Sequence, residues 1–425
     1  VDPVPGARRL LAILTVRGRC LLAAGLLCGV GALALGESDL LRAAALLLAL
    51  PLVSAAVVSR TKYRLECDRT LSPSRIPVGG TATVRLALRN AGRLPTSTLA
   101  LEDTVPYALG ARPRVSLPWL GAGGRRSGVY PLRPDTRGRF VIGPLTVRLS
   151  DPFGCCEISR SFASTTELTV VPRIVALPHL PLAGSWSGLG EGGGQSAGAL
   201  GDDDAAVRGY RQGDDLRKVH WRSTAHAGTL MVRREAQPWV ARATILLDDR
   251  LAAHRGTGTR SSFEFAVSAA ASIADHLAGR GFALRLVTGA GHQVSVTSPT
   301  LSRVTLLDEL AVLTPTRHPT LGPGLERLGG EGDRGVVIAI TGSLGAGEAR
   351  ALAALAGRRA PALALLLDTS SWSRSASGAP EEISLHRQRA QLELGGWRTA
   401  VIRRGTPLEA TWRLLAAGDP VRAAR

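Results

Sequence analysis

The spacing of hydrophobic positions changes along the chain, and each change marks a different class of element. After a basic arm, residues 1–19 with Arg8, Arg9, Arg17 and Arg19, come two apolar runs, Cys20–Gly36 and Leu40–Ser59. Glu37, Ser38 and Asp39 separate them. The first run is near the lower limit for a membrane-spanning helix, and the second is near the typical length of about 20 residues. Arg42 is the one charge in the second run and lies close enough to its end for the guanidinium to reach water. Arg60, Lys62 and Arg64 follow at once. Positive flanks around an acidic turn predict a membrane hairpin over residues 20–59, with both flanks on the cytoplasmic side of the cell membrane. A secretory signal peptide competes with this reading, because Ala32-Leu33-Ala34 resembles a small-residue cleavage site. Even then the second run would return the chain to the cytoplasm.

From residue 60 to 179 the period shortens to two. Val84, Leu86 and Leu88 alternate with Arg85, Ala87 and Arg89 before an Asn90-Ala91-Gly92 turn. Leu145, Val147 and Leu149 share one face of a strand-rich stretch, Phe140–Leu149, that is broken at Gly143-Pro144. Alternation with Pro and Gly at turn spacing predicts an all-β, antiparallel sandwich. Residues 180–201 are rich in Gly and Ser and read as a linker. Asp202-Asp203-Asp204 closes it; adjacent side chains diverge, so these carboxylates read as a solvated turn. Residues 239–425 then alternate compact apolar runs with helical spacing. Strands are expected at Ala243–Leu247, Ala283–Val287, Val336–Ile340, Ala362–Leu367 and Arg398–Ile402. Helices are expected at Phe263–Leu277, Val304–Leu313 and Glu348–Gly357. Such alternation predicts a mostly parallel sheet with helices on both faces, whose ligands bind beyond the carboxyl ends of the strands.

Composition adjusts this picture in two places. The net charge of +18 suggests nucleic acid, yet only Lys62 and Lys218 among the 52 basic residues are lysines, and arginine is spread along the whole chain. Aromatics are 4% of the residues, whereas a phosphate-binding face clusters its basic groups and interleaves aromatics. No nucleic-acid partner is expected; an anionic membrane surface suits the same charge. The cysteines Cys20, Cys28, Cys67, Cys155 and Cys156 show no zinc spacing and no disulfide framework.

The segment 202–238 carries the densest polar and aromatic run, Arg208–Glu235. Gly213 allows a sharp turn, and Asp214 or Asp215 is placed to cap a helix from Leu216 to about Ala227, ended by Gly228. Thr229–Arg234 then resumes as a strand. Asp214, His220, Ser223 and His226 are the residue types of a hydrolytic triad, but no nucleophile elbow accompanies them. A structural role competes, in which Asp214 or Asp215 caps the helix, Arg217 pairs with a carboxylate and Trp221 anchors the unit to the sheet. A third reading is a docking surface built from Arg208, Tyr210, Arg211, Arg217 and Arg222, types favoured at interface hot spots.

The pattern formed by Arg208, Tyr210, Gly213, Asp214, Asp215, Arg217, His220, Trp221, Ala225, Leu230, Val232 and Arg233 resembles the signature of the bacterial domain-of-unknown-function 58 (DUF58) family. Arg137–Gly154 also resembles the segment that precedes the signature there. The resemblance implies a C-terminal domain similar to the von Willebrand factor A fold, where a D-x-S-x-S loop holds a divalent metal. Here Asp248 matches the leading aspartate, but Arg250 and Ala252 occupy the serine positions. The later loop, Ile340-Thr341-Gly342-Ser343, lacks the aspartate often found there. The site at Asp248 and Thr341 is therefore read as degenerate, with no metal and no cofactor expected. The resemblance also implies a MoxR-type AAA+ ATPase partner and a transglutaminase-like membrane protein. The expectation is a non-enzymatic, membrane-anchored adaptor for envelope-related assembly or maturation, with Arg208, Tyr210, Gly213, Asp214, Asp215, Arg217, His220, Trp221 and Arg233 as its partner-binding signature. A hydrolase using Asp214 and His220, and a basic protein binding membrane surface or nucleic acid, are the alternatives.

Overall fold

A computed structural model of the chain describes residues 13–60, 64–151, 153–179, 207–210, 219, 221–233, 242–296, 298–329, 335–356, 362–373 and 379–417. The chain forms two compact units, Val1–Val171 and Pro172–Arg425.

The first unit begins with helices α1 (Val16–Leu35) and α2 (Ser38–Arg60). Thr15 caps α1 by accepting from the Gly18 N–H at 3.3 Å. Gly36 ends it at φ 71°, the left-handed conformation that closes a helix with least strain in glycine. The helices pack as a hairpin through small residues: a Cβ at Gly25 would lie 2.8 Å from Leu48, and Gly29 faces Ala44. Their outer faces expose Leu27, Leu33 and Leu46. Both helices are long and apolar enough to cross a membrane.

The rest of this unit is β-rich. Strands β1 (Leu65–Ser72), β3 (Ala82–Asn90) and β6 (Arg125–Leu132) form one sheet, and β2 (Arg75–Pro77), β7 (Gly138–Ile142) and β10 (Thr166–Val171) a second. A third contains β4 (Leu99–Asp103), β5 (Arg114–Leu117), β8 (Leu145–Ser150) and β9 (Glu157–Phe162). Val84, Leu86 and Leu88 point inward with Leu145, Val147 and Leu149, forming one core. The break at Gly143-Pro144 has a purpose: β7 pairs with β10, whereas β8 pairs with β4 and β9, so the chain changes sheet there. The arrangement departs from the expected antiparallel sandwich: the strands fall in three sheets, and β10 pairs with β2 in parallel. Under this core Arg69 meets Asp103 in two bonds, of 3.1 and 2.7 Å, and Tyr130 donates to Asp103 at 2.6 Å. Burial, with this bond to a carboxylate, pushes the Tyr130 phenol far up.

The second unit is a mixed six-stranded sheet with helices. Its strands are β13 (Arg242–Leu247), β14 (Ala283–Thr288), β15 (Gln293–Ser295), β16 (Val336–Thr341), β17 (Ala362–Leu367) and β18 (Trp397–Ile402). The order is β15-β14-β13-β16-β17-β18; β15 runs antiparallel to β14 and the other pairings are parallel. Every residue of β16 and β17 is buried, as a sheet covered on both faces requires. The helices are α4 (Ser262–Gly279), α5 (Pro299–Val312), α6 (Gly322–Gly329), α7 (Ala346–Ala356), α8 (Ala379–Leu394) and α9 (Leu408–Ala417). The short strand β15 and helices α6, α8 and α9 were not anticipated. The α8 segment is too polar to show a continuous apolar stripe, and α6 is only two turns long. Residues entering this unit lie along α4: Ser268 donates its hydroxyl to the Arg173 carbonyl at 2.6 Å, and Val175 N–H donates to Ser272 Oγ at 3.0 Å.

Removing Asp103 would leave the Arg69 guanidinium buried without its carboxylate. Asp103→Ala should lower the unfolding free energy by about 3–5 kcal/mol, measured by denaturant titration of the full chain; a change below about 1 kcal/mol would show that the pair is dispensable.

Candidate functional site: a buried arginine at the strand ends

In the sheet order the chain moves from β13 outward to β14 and β15, then crosses to β16 on the other side of β13. The carboxyl ends of β13 and β16 therefore flank the point where the winding reverses, the usual ligand crevice of such sheets. This crevice is filled by the chain's own cation. Arg250 Nε donates to Asp248 Oδ1 and its Nη2 to Asp248 Oδ2, both at 2.9 Å. Its Nη1 donates to Glu348 Oε1 at 2.6 Å, and Nη2 also reaches the Ser343 carbonyl at 3.2 Å. Asp248 is fully buried and Arg250 nearly so. Burial alone would pull the Arg250 pKa down; the Asp248 and Glu348 carboxylates outweigh it and raise it.

The neighbouring groups brace this contact. Glu348, in the first turn of α7, also accepts the Leu321 N–H at Oε1 and the Gly345 N–H at Oε2, each at 2.8 Å. Asp249 accepts the Ala290 N–H at 2.9 Å, and its carbonyl accepts the Thr316 N–H at 2.6 Å. Burial raises the Asp249 carboxyl above its ordinary range. The loops after β13, β14, α5 and β16 are thus drawn together over one point. His254 completes the base of the loop, with Nε2 2.8 Å from the Asp248 carbonyl and Nδ1 3.1 Å from Ser262 Oγ. A carbonyl only accepts, so Nε2 carries the proton and Nδ1 receives the Ser262 hydroxyl. Burial lowers the pKa of this ring below its ordinary 6.5.

The donor set expected for a degenerate cation site is present but does not fit a metal. Both Asp248 oxygens are taken by the guanidinium. Thr341 is buried, and its hydroxyl has no hydrogen-bond partner among the described residues. Among those residues no three His, Cys, Asp or Glu side chains are gathered as a metal set. In the sequence Arg250 stands only in place of a metal-loop serine, and Glu348 only at the start of a helix. The structure joins the two. An arginine two residues past a strand-end aspartate, with a glutamate opening a later helix, was the available signal.

The signature segment is described in part. β11 (Val207–Gly209) pairs antiparallel with β12 (Met231–Arg233), and helix α3 (Trp221–Ala227) lies between them. Gly228, at φ 67°, follows the helix as expected. Val219 bridges to Val232, and both are buried. Thr224 Oγ1 accepts the Met231 N–H at 2.9 Å, fixing the helix on the strand. The expectation that Trp221 anchors the unit by burial is corrected: its ring is 72% exposed, while the nearby Val219 and Val232 make the apolar contact. Tyr210 is also on the surface. Gly213, Asp214, Asp215, Leu216, Arg217 and His220 lie outside the described residues, as do Arg211, residues 180–206 and the side chains of Arg208 and Arg233.

Two outcomes follow for the buried cluster. Arg250→Ala strands two carboxylates and should cost about 3–5 kcal/mol of stability by denaturant unfolding, whereas Arg250→Met with Asp248→Asn should recover a measurable part of it. His254 is held neutral when folded, and the unfolded chain takes up its proton as pH falls through 6.5. Its contribution is therefore present above that pH and lost below it. The thermal midpoint of the wild type should fall more steeply than that of His254→Gln as the pH is lowered from 6.5.

No curated protein matches this chain. Among solved structures, the CARDB domain of the PF1109 protein from Pyrococcus furiosus, in complex with di-metal ions, is 13% identical with a TM-score of 0.20, covering 26% of this chain and 90% of that one. The alkylpurine DNA glycosylase AlkC of Pseudomonas fluorescens, bound to DNA containing an abasic site analog, is 15% identical with a TM-score of 0.19, covering 32% of this chain and 40% of that one. Residues 206–368 match the family model described as "Protein of unknown function DUF58". That span runs from the residue before β11, through the exposed Trp221 and the Arg250 cluster, to Asp368 at the end of β17. Over this span the chain matches the DUF58 family.

Proposed function

We propose that this is a membrane-anchored interaction protein. In this reading α1 and α2 cross the cell membrane, and the folded parts of the chain lie on its cytoplasmic side, following the arginines that flank the hairpin. The second unit is a von Willebrand A-like domain, a reading that the parallel pairings around β13 favour. The signature segment is a dock for a protein partner, and by family resemblance that partner is a MoxR-type AAA+ ATPase in envelope-related assembly, with a transglutaminase-like membrane protein in the same system.

The observation that carries the docking reading is the exposure of Trp221. A tryptophan 72% exposed on a short helix, beside Arg222 in sequence, contributes little to its own fold. Tryptophan, tyrosine and arginine are the residues on which binding energy concentrates when a partner covers them. The filled crevice points the same way, because Arg250 occupies the place where a sheet of this kind would otherwise meet a small ligand.

The test is crosslinked affinity purification of the full-length protein from native membranes, with Trp221→Ala and Arg217→Ala variants in parallel. An AAA+ ATPase should be enriched with the wild type. Trp221→Ala should weaken the association by at least about 2 kcal/mol, a roughly thirtyfold loss of affinity. Its unfolding free energy should stay within about 0.5 kcal/mol of wild type, as for other exposed positions. Absence of any ATPase from the wild-type sample would defeat the partner assignment.

A further inference from the structure

One end of the β-rich region presents apolar side chains that its core does not use. The register Leu99↔Leu117 and Leu99↔Leu149 brings the start of β4 and the ends of β5 and β8 together. Leu65↔Asn90 and Arg89↔Arg125 do the same for the start of β1, the end of β3 and the start of β6. Asn90 ties the two groups into one surface: its side-chain amide donates to the carbonyls of Leu94 at 2.7 Å and Gly121 at 3.1 Å. The Ala91 N–H reaches the Arg64 carbonyl at 2.7 Å, close to the point where the chain leaves α2.

This is also the end that holds the helical hairpin. The loop after β8 brings Cys155 and Cys156 against Leu14 and Ala55 in a small buried cluster. Thr15 N–H donates to the Cys155 carbonyl at 2.9 Å, and Thr15 Oγ1 donates to the Gly154 carbonyl at 2.6 Å. Gly18 is required here, since a Cβ would collide with the Cys155 carbonyl. Asp151 fixes the loop by accepting the N–H groups of Cys156 at 2.6 Å and Phe153 at 3.2 Å. The loop is therefore rigidly placed at the base of the hairpin, level with the first turn of α1.

On this same end stand Leu94, Trp119 and Phe153, exposed at 57%, 60% and 61%. Arg17, Arg19, Arg64 and Arg93 are exposed around them. The acidic groups nearby on β1 face arginines of the same sheet: Glu66 pairs with Arg89, and Asp68 lies 3.8 Å from Arg125. Asp151 is buried. Tyr107, 98% exposed, sits after β4 at the opposite end, where Asp103 pairs with Leu145.

We propose that this end of the β-rich region is a membrane-contacting face, with Leu94, Trp119 and Phe153 seated at the level of the lipid headgroups and the surrounding arginines held against anionic lipid. The proposal rests on the reading of α1 and α2 as spans, which it extends to the folded part of the chain. Its occupant is the bilayer itself, because the face is continuous with the hairpin. Tryptophan and phenylalanine favour the interface, where an apolar ring meets acyl chains beside polar headgroups. Guanidinium groups at the same level pair with lipid phosphates.

The test uses the full-length protein in vesicles of phosphatidylcholine with phosphatidylglycerol, carrying photoreactive p-benzoylphenylalanine at single positions. The positions are Trp119, Phe153, Leu27 on the outer face of the hairpin, and Tyr107 at the far end; all four are exposed, so the replacements do not disturb the core. Lipid adducts should form at 27, 119 and 153 severalfold above the level at 107. Omitting phosphatidylglycerol should reduce the adducts at 119 and 153 and leave that at 27 unchanged. Labelling at 27 with 119 and 153 no higher than 107 would overturn the proposal while the hairpin reading stands. No labelling at 27 would overturn the hairpin reading and this proposal with it. Crosslinks from 119 or 153 to a second copy of the chain in place of lipid would also overturn it.

Discussion

The second unit depends on a charge that has been moved inside. The loops after β13 and β16 bring the carboxylates of Asp248 and Glu348 to one point, and nothing in their apolar strands would hold the two there. Arg250 does so by placing a planar guanidinium between Asp248 and Glu348 and leaving a further N–H for the Ser343 carbonyl. A cluster of this kind gains less net stability than its bond count suggests, because each ion was better hydrated in water. Its larger effect is on uniqueness. Once the strands are buried, the loops have one arrangement in which no ion is stranded.

The two units solve the same problem with different chemistry. Arg69, Asp103 and Tyr130 close the end of the β-rich core much as Arg250, Asp248 and Glu348 close the crevice. In both, an arginine rather than a lysine is used, since the fork engages both oxygens of a carboxylate and further carbonyls without a mobile stem. The high arginine content, read from sequence as a diffuse compositional bias, includes at least these two positions where the fork geometry is needed.

How far the sequence could be read depended on whether a pattern was local. The apolar strands Ala243–Leu247 and Ala362–Leu367 and the alternation around Leu86 were legible because burial on one or two faces writes itself into consecutive residues. So was the break at Gly143-Pro144, although its meaning, a change of sheet, required the pairings. The amphipathic logic failed at α8, where Ala379–Leu394 is mostly polar and is held by contacts such as the Gln388 side chain donating to the Leu344 carbonyl at 2.6 Å. The candidate site was half legible. Asp248 was identified at its strand end, but its partner Glu348 lies 98 residues beyond Arg250, and no local pattern links them. Trp221 was misread as an anchor because a large apolar ring in a polar segment suggests burial, whereas the smaller Val219 and Val232 fill that role.

The segment that leads into the second unit is tied to its first long helix. Just beyond Pro172 the backbone is fastened to α4 by two serine hydroxyls, one accepting from Val175 and one donating to Arg173, on successive turns of the same helix face. Any pull transmitted along the chain toward this unit meets those bonds before it reaches the sheet. They are the joint at which tension would first be shared between the leading segment and a helix whose face is lined with small alanines. Force on the chain would thus load the side of α4 before it reaches the strands.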